Sequence, residues 1–178
     1  MIAYLHGRLK HIYDDRVTLL VGGIGYDILI PTYVMFEIRG TAKPDDELGL
    51  YISYNQSERQ PKPVLVGFRS ELDKEFFELF ISVEDIGPLA AIKALTRPIR
   101  EIARFIEEKD TKSLKQLKGI GERKAEKIVA TLRGKVAKYA LIREVTIAVE
   151  AKEDFRKEVE HVLVTQLGHK LAEARIMI

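Results

Sequence analysis

The stretch Leu117-Lys118-Gly119-Ile120-Gly121-Glu122-Arg123-Lys124-Ala125 holds the residue types that grip a phosphate. Two glycines around one apolar residue let the backbone turn through angles a side chain would forbid. A helix starting at Glu122 or Arg123 then aims its unpaired N–H groups and the positive end of its dipole at whatever lies before the turn. Lys118, Arg123, Lys124 and Lys127 add mobile positive charge, so the expected contact segment runs through Lys118, Gly119, Ile120, Gly121, Arg123, Lys124 and Lys127. Ile120 is expected to tuck inward, while Ala125, Ile128, Val129 and Leu132, at helical intervals, seat the second helix on its partner. The turn alone would equally suit a helix C-cap glycine followed by a solvated basic helix.

A second copy of the pattern decides between these readings. Ile86-Gly87 stands 34 residues before Ile120-Gly121, and Ala91 stands opposite Ala125. Two hairpins with matched inner apolar positions point to a tandem helix-hairpin-helix that binds nucleic acid, with Gly87, Pro88 and Lys93 as the first copy's candidates. The copies are unequal: Asp85 replaces the leading glycine and Leu89 the arginine, which marks hairpin one as the weaker grip.

The charge pattern agrees. From Arg97 to Lys138 there are 13 Lys plus Arg against 6 Asp plus Glu, a local excess of +7 in a chain whose net charge is +2. Such asymmetry points to a polyanion partner for the middle segment.

No constellation supports catalysis. His6, His11, His161 and His169 are scattered without metal-ligand spacing, and no phosphate-binding loop of the nucleotide-hydrolase type is present. The chain contains no cysteine, which removes disulfides, thiol nucleophiles and thiolate metal sites. No metal or cofactor is expected. No apolar segment approaches a membrane span, and a soluble, cytoplasmic protein is the expectation.

These residues need elements to position them. Ile2–Leu9, Arg16–Val21, Tyr26–Pro31, Leu48–Tyr54 and Val64–Arg69 read as five short strands of a small barrel or sandwich. Val21-Gly22-Gly23-Ile24-Gly25-Tyr26 joins two strands, so its glycines are expected at a barrel corner or bulge, not at a dinucleotide. At Ser70 the apolar period changes to nearly four, with Ser70 and Asp73 resembling a capping box and Leu72, Phe76, Leu79, Phe80 and Val83 on one face. Further helices are expected over 99–108 and 111–116, the latter capped by Asp110, giving about five helices between 70 and 139. Asp154–Leu167 reads as an amphipathic helix ended by Gly168, and Leu171–Ile178 as another.

In this order the chain resembles the RuvA family of Holliday-junction-binding subunits. The resemblance rests on Met1-Ile2 with Gly7, Val21 to Tyr26, Pro31, Val66-Gly67-Phe68, Glu75 to Phe80 and the second hairpin, Leu117 to Leu132. It implies an α+β multidomain chain: an OB-fold β-barrel over 1–69, an all-α tandem helix-hairpin-helix domain over 70–139, a connector over 140–152 and a short helical, UBA-like domain over 153–178. It further implies a homotetramer whose hairpins contact backbone phosphates in the arms of a four-way junction. The family's C-terminal domain binds a RuvB-type ATPase motor, which performs the hydrolysis.

Two further departures qualify the resemblance. The family's acidic strand-separating pin corresponds to the stretch 54–63, where Glu58 is the only acidic residue. The tail after 153 is shorter than the family's three-helix module, so motor binding is an open expectation. The alternatives from other classes are a structure-selective nuclease or its accessory subunit, and a protein-interaction scaffold that binds no DNA.

Overall fold

The computed structural model describes residues 1–57 and 60–141. Five strands, β1 (Tyr4–Ile12), β2 (Arg16–Val21), β3 (Ile24–Leu29), β4 (Glu47–Ser57) and β5 (Gln60–Phe68), close into a barrel in the order β1-β2-β3-β5-β4. All neighbouring pairs are antiparallel except β3 and β5, which meet at Leu29 and Val66 in parallel. This five-stranded closure is the OB-fold topology. Its interior is filled from alternate positions of the strands, including Leu9, Val17, Leu19, Ile28, Leu50, Val66 and Phe68, all without exposed surface.

The glycine-rich stretch makes a two-residue hairpin. Val21 pairs with Ile24, and Gly22 (φ 57°) and Gly23 (φ 86°) both take the left-handed angles that a tight turn between twisted strands needs. Gly25 lies in β3 opposite Leu20. The corner expected from sequence is thus a hairpin turn followed by a strand glycine.

Three features differ from the sequence reading. A helix, α1 (Thr32–Thr41), stands between β3 and β4 and buries Tyr33, Val34, Met35 and Ile38. Arg39 ties it to the β1–β2 turn by donating to Asp14 Oδ1 at 2.9 Å and to the Tyr13 carbonyl at 3.0 Å. Strands β4 and β5 continue to Ser57 and from Gln60, which pair, so most of the expected loop over 54–63 is ladder. And the helical part contains a sixth helix.

That part comprises α2 (Glu71–Ile81), α3 (Pro88–Ala94), α4 (Ile99–Glu107), α5 (Thr111–Leu114), α6 (Glu122–Leu132) and α7 (Ala137–Ala140). Ser70 caps α2 by accepting from the Asp73 amide at 3.1 Å, and Asp110 caps α5 by accepting from the Ser113 amide at 3.0 Å. Phe76, Phe77 and Phe80 of α2 are fully buried; Phe77 packs on Phe68 of the barrel with ring centres 5.1 Å apart. On the other side Phe76 meets Tyr139 of α7 edge-on at 5.3 Å, and Lys138 donates to Glu75 at 2.6 Å. Residues 1–141 form one compact unit. Glu58, the connector beyond Leu141 and the two expected C-terminal helices lie outside the described residues.

Where α1 meets α2, burial raises the Asp73 carboxyl above its usual range, opposed by the Ser70 and Tyr33 hydroxyls. The Tyr33 hydroxyl is buried there without a full hydrogen bond, and Glu37 is raised by its own burial and then by the Asp73 charge. A carboxyl raised in the folded state binds its proton more tightly than in the unfolded chain. Its charge is therefore a cost at neutral pH, relieved as pH falls through the raised value. Asp73→Asn is expected to raise Tm at pH 7, with the gain shrinking as pH is lowered; thermal unfolding of both proteins across pH 4.5–8 would read this, and a constant or negative difference would contradict it.

Candidate nucleic-acid interface

Both hairpins are built from the same local geometry. Each turn leads with a left-handed residue, Asp85 (φ 66°) in the first and Gly119 (φ 82°) in the second. The next residue is buried, Ile86 or Ile120, and its amide is used inside the turn, donating to Val83 or Leu117 at 3.1 Å. Gly87 and Gly121 then cap α3 and α6 with extended backbone, and Ala91 and Ala125, both fully buried, donate back to them at 2.9 Å. Ala94 and Ile128, again 34 residues apart, are buried too. The interiors of the two copies are apolar at matching positions, and the surfaces differ in charge.

Turn two is open and positive. No side chain caps α6, so its first amides face outward. Gly119, Gly121, Glu122, Arg123 and Lys124 line an open depression of about 580 Å³. A Cβ added at Gly119 or Gly121 would meet nothing within 4 Å, so both glycines leave clear space in front of the turn. Lys118 and Arg123 are exposed, and neither they nor Lys124 make an ion pair among the described residues. The one acid in the lining, Glu122, accepts from Lys115 at 3.4 Å. The depression therefore offers helix amides, a dipole end and two cations without an ion pair, Arg123 and Lys124, to an anion, with Lys118 exposed next to it in the chain.

Turn one is as open at Gly87, where an added Cβ would meet nothing within 4 Å, but it is acidic. Glu84 stands at the position of Lys118, Asp85 at that of Gly119, Leu89 at that of Arg123 and Ala90 at that of Lys124. Pro88 begins α3 and has no amide hydrogen to offer. Lys127, expected among the contacts, instead donates to Asp85 Oδ2 at 2.6 Å and to Glu84 Oε2 at 2.9 Å. Bonding to Lys127, reinforced by its charge and that of Lys124, holds the Asp85 carboxyl below its usual range, and the two carboxylates hold Lys127 above its own.

The sequence-derived candidates thus separate. Gly119, Gly121, Arg123 and Lys124 line one depression, and Lys118 is exposed next to Gly119 in the chain. Ile120 is a core residue with its amide spent, so it shapes the turn without touching a ligand through either. Lys127 belongs to a bridge between the hairpins, and Gly87 and Pro88 sit at a turn with acidic residues in front. Lys93 is exposed, and no ion pair is made by it among the described residues. Glu84 was missed; the 34-residue repeat, which sets it opposite Lys118, was the signal that could have found it. Among the described residues no group of three or more His, Asp or Glu side chains converges to hold a metal ion, and no helix is long and apolar enough to cross a membrane.

Comparisons with known proteins match both the barrel and the hairpins. Residues 1–62 match the family model of the RuvA N-terminal domain, and residues 77–135 match that of the SAM-like helix-hairpin-helix tandem. Among similar proteins is the Holliday junction branch migration complex subunit RuvA of Desulfatibacillum aliphaticivorans, 51% identical over all of this chain and 87% of its own length. Its counterparts from Desulfosudis oleivorans, 45% identical over 100% of this chain and 87% of theirs, and Rhodopirellula baltica, 32% identical over 100% and 88%, carry the same description. With an OB-type barrel, a tandem hairpin behind it and that identity along its whole length, the chain belongs to the RuvA family.

Proposed function

We propose that this chain is a DNA-binding subunit that recognises four-way junctions by backbone phosphate contacts and holds them open for branch migration by a RuvB-type ATPase motor. The observation that carries the reading is turn two: an uncapped helix end, two glycines with clear space before them and the cations Arg123 and Lys124 in one depression. Contacts of this kind read the backbone and not the base edges, so discrimination comes from the branched shape of the ligand. Lys118, Gly119, Gly121, Arg123 and Lys124 make the contacts. The chain is the non-catalytic partner, and the motor supplies hydrolysis. Four copies assemble around the four arms, each with a barrel module (1–69), a hairpin module (70–139), a connector (140–152) and a C-terminal module (153–178) that meets the motor.

Gel-shift competition tests this. A four-way junction should outcompete linear duplex of the same length by at least tenfold, and the solution mass with junction should be that of four or more chains. Gly121→Ala sharpens the test. Gly121 has φ −91° and open space around its Cβ position, so alanine fits the free protein, while the added methyl stands where a phosphate would approach. A loss of stability of no more than about 1 kcal/mol, because alanine caps a helix less well than glycine, with roughly tenfold weaker junction binding is expected, the latter being about the 1.4 kcal/mol of one lost close contact. Equal binding of junction and duplex by the wild type would overturn the proposed function.

A further inference from the structure

The bridge from Lys127 to Glu84 and Asp85 joins two turns that the repeat makes equivalent inside and opposite outside. A left-handed angle at a non-glycine residue is uncommon, and the corresponding position in turn two is glycine. Aspartate is one of the few side chains that adopt such an angle, and its carboxylate sets Oδ2 2.6 Å from the Lys127 ammonium, as a phosphate oxygen would. Glu84 Oε2 supplies a second oxygen at 2.9 Å. At three further positions of turn one the charge changes the same way, Lys118 becoming Glu84, Arg123 becoming Leu89 and Lys124 becoming Ala90, while Pro88 in place of Glu122 removes the first helical amide together with a carboxylate.

We propose that Glu84 and Asp85 act as an internal stand-in for DNA phosphate: they hold Lys127 away from the ligand and make turn one a repulsive element, so that each subunit grips the backbone through turn two alone. The inference rests on the reading of turn two as a phosphate grip. It assigns to turn one the opposite role. The pair lowers the affinity of a single subunit for any DNA backbone, so that stable binding depends on several subunits engaging one ligand together. A linear duplex that reaches few subunits is then penalised more than a junction that reaches all of them. The carboxylates make the surface selective by weakening it. The lowered Asp85 and raised Lys127 values agree with a bridge that is ionised throughout the neutral range.

The test uses the full chain and compares wild type, E84Q/D85N, E84Q/D85N/K127M and K127M for junction and duplex binding across a series of salt concentrations. Asparagine is chosen at 85 because it tolerates the left-handed angle. Each phosphate neutralised adds about 0.9 to the slope of log affinity against log salt. Freeing Lys127 in E84Q/D85N should steepen the slope by about 0.9 for each engaged subunit, raise duplex affinity roughly three- to tenfold and narrow the preference for the junction. The triple variant should return to the wild-type slope. K127M alone leaves two carboxylates unpaired, and should weaken binding without flattening the slope. The inference is overturned if wild type binds DNA and E84Q/D85N leaves slope and affinity unchanged, or if K127M alone flattens the slope as the loss of a phosphate contact does. Absence of DNA binding by wild type at low salt would overturn both this inference and the proposed function beneath it.

Discussion

Arg123→Glu with Lys124→Glu should abolish most junction binding while leaving the fold intact. Both residues line the depression before α6, Arg123 exposed and Lys124 half-buried, and neither makes an ion pair among the described residues. Their exchange costs the free protein little, because exposed charges contribute little to stability. For the complex it removes two phosphate contacts and sets two negative charges in their place. The slope of log affinity against log salt should fall by about 1.8 per engaged subunit, and affinity at moderate salt should drop on the order of 100-fold. Circular dichroism with gel shift or fluorescence anisotropy at several salt concentrations would check both parts. A double variant that is folded and binds with the wild-type slope would remove turn two from the interface.

Gly7→Ala should damage the barrel itself. Gly7 lies in β1 where it crosses β2, and an added Cβ would sit 2.3 Å from the Leu20 carbonyl oxygen and 2.9 Å from Val21 Cγ2. No real contact is that short, and the near atom is backbone. The strands cannot part there without loss of the adjoining Arg8 to Leu20 register. Overpacking of this kind costs about 3 kcal/mol at the upper end of its ordinary range. In a unit of this size that lowers Tm on the order of 10 °C. Gly40→Ala is the matched control: it lies in α1, meets nothing within 4 Å, and should stabilise by up to about 1 kcal/mol because alanine favours helix. Urea denaturation of both variants separates a clash from a general intolerance of alanine.

The hairpins were legible because their information is local. A left-handed residue, an inward isoleucine, a glycine cap and an alanine four residues on define the turn within a short span, and repetition at 34 residues removed the ambiguity of one copy. Helix α2 was readable for the same reason, through Ser70 and the phenylalanine spacing. Helix α1 was not. Thr32-Tyr33-Val34-Met35-Phe36 favours a strand by composition, and Pro31 and Gly40 obscure the helical pattern at either end. The segment becomes a helix because it lies between β3 and β4 and buries Tyr33, Val34, Met35 and Ile38. The outer ends of β4 and β5 were missed because Asn55, Gln56 and Ser57 have no apolar alternation; pairing of Ser57 with Gln60 orders them. The ion pairs of Lys127 were not legible for a third reason. On its own helix it is one more exposed cation, and its partners lie 42 and 43 residues earlier, a relation no periodicity in α6 encodes.

The acidic first turn and the basic second one lie within reach of a single lysine side chain, which places two carboxylates next to a group of cations on the same module. To a polyanion still some ångströms away, that pair is a local electric dipole. It exerts a torque before any contact forms, pushing the backbone off one turn and drawing it to the other. On the roles proposed for the two turns, the hairpin module would favour one orientation of a DNA arm during approach, and encounters arriving the other way round would separate before they become complexes.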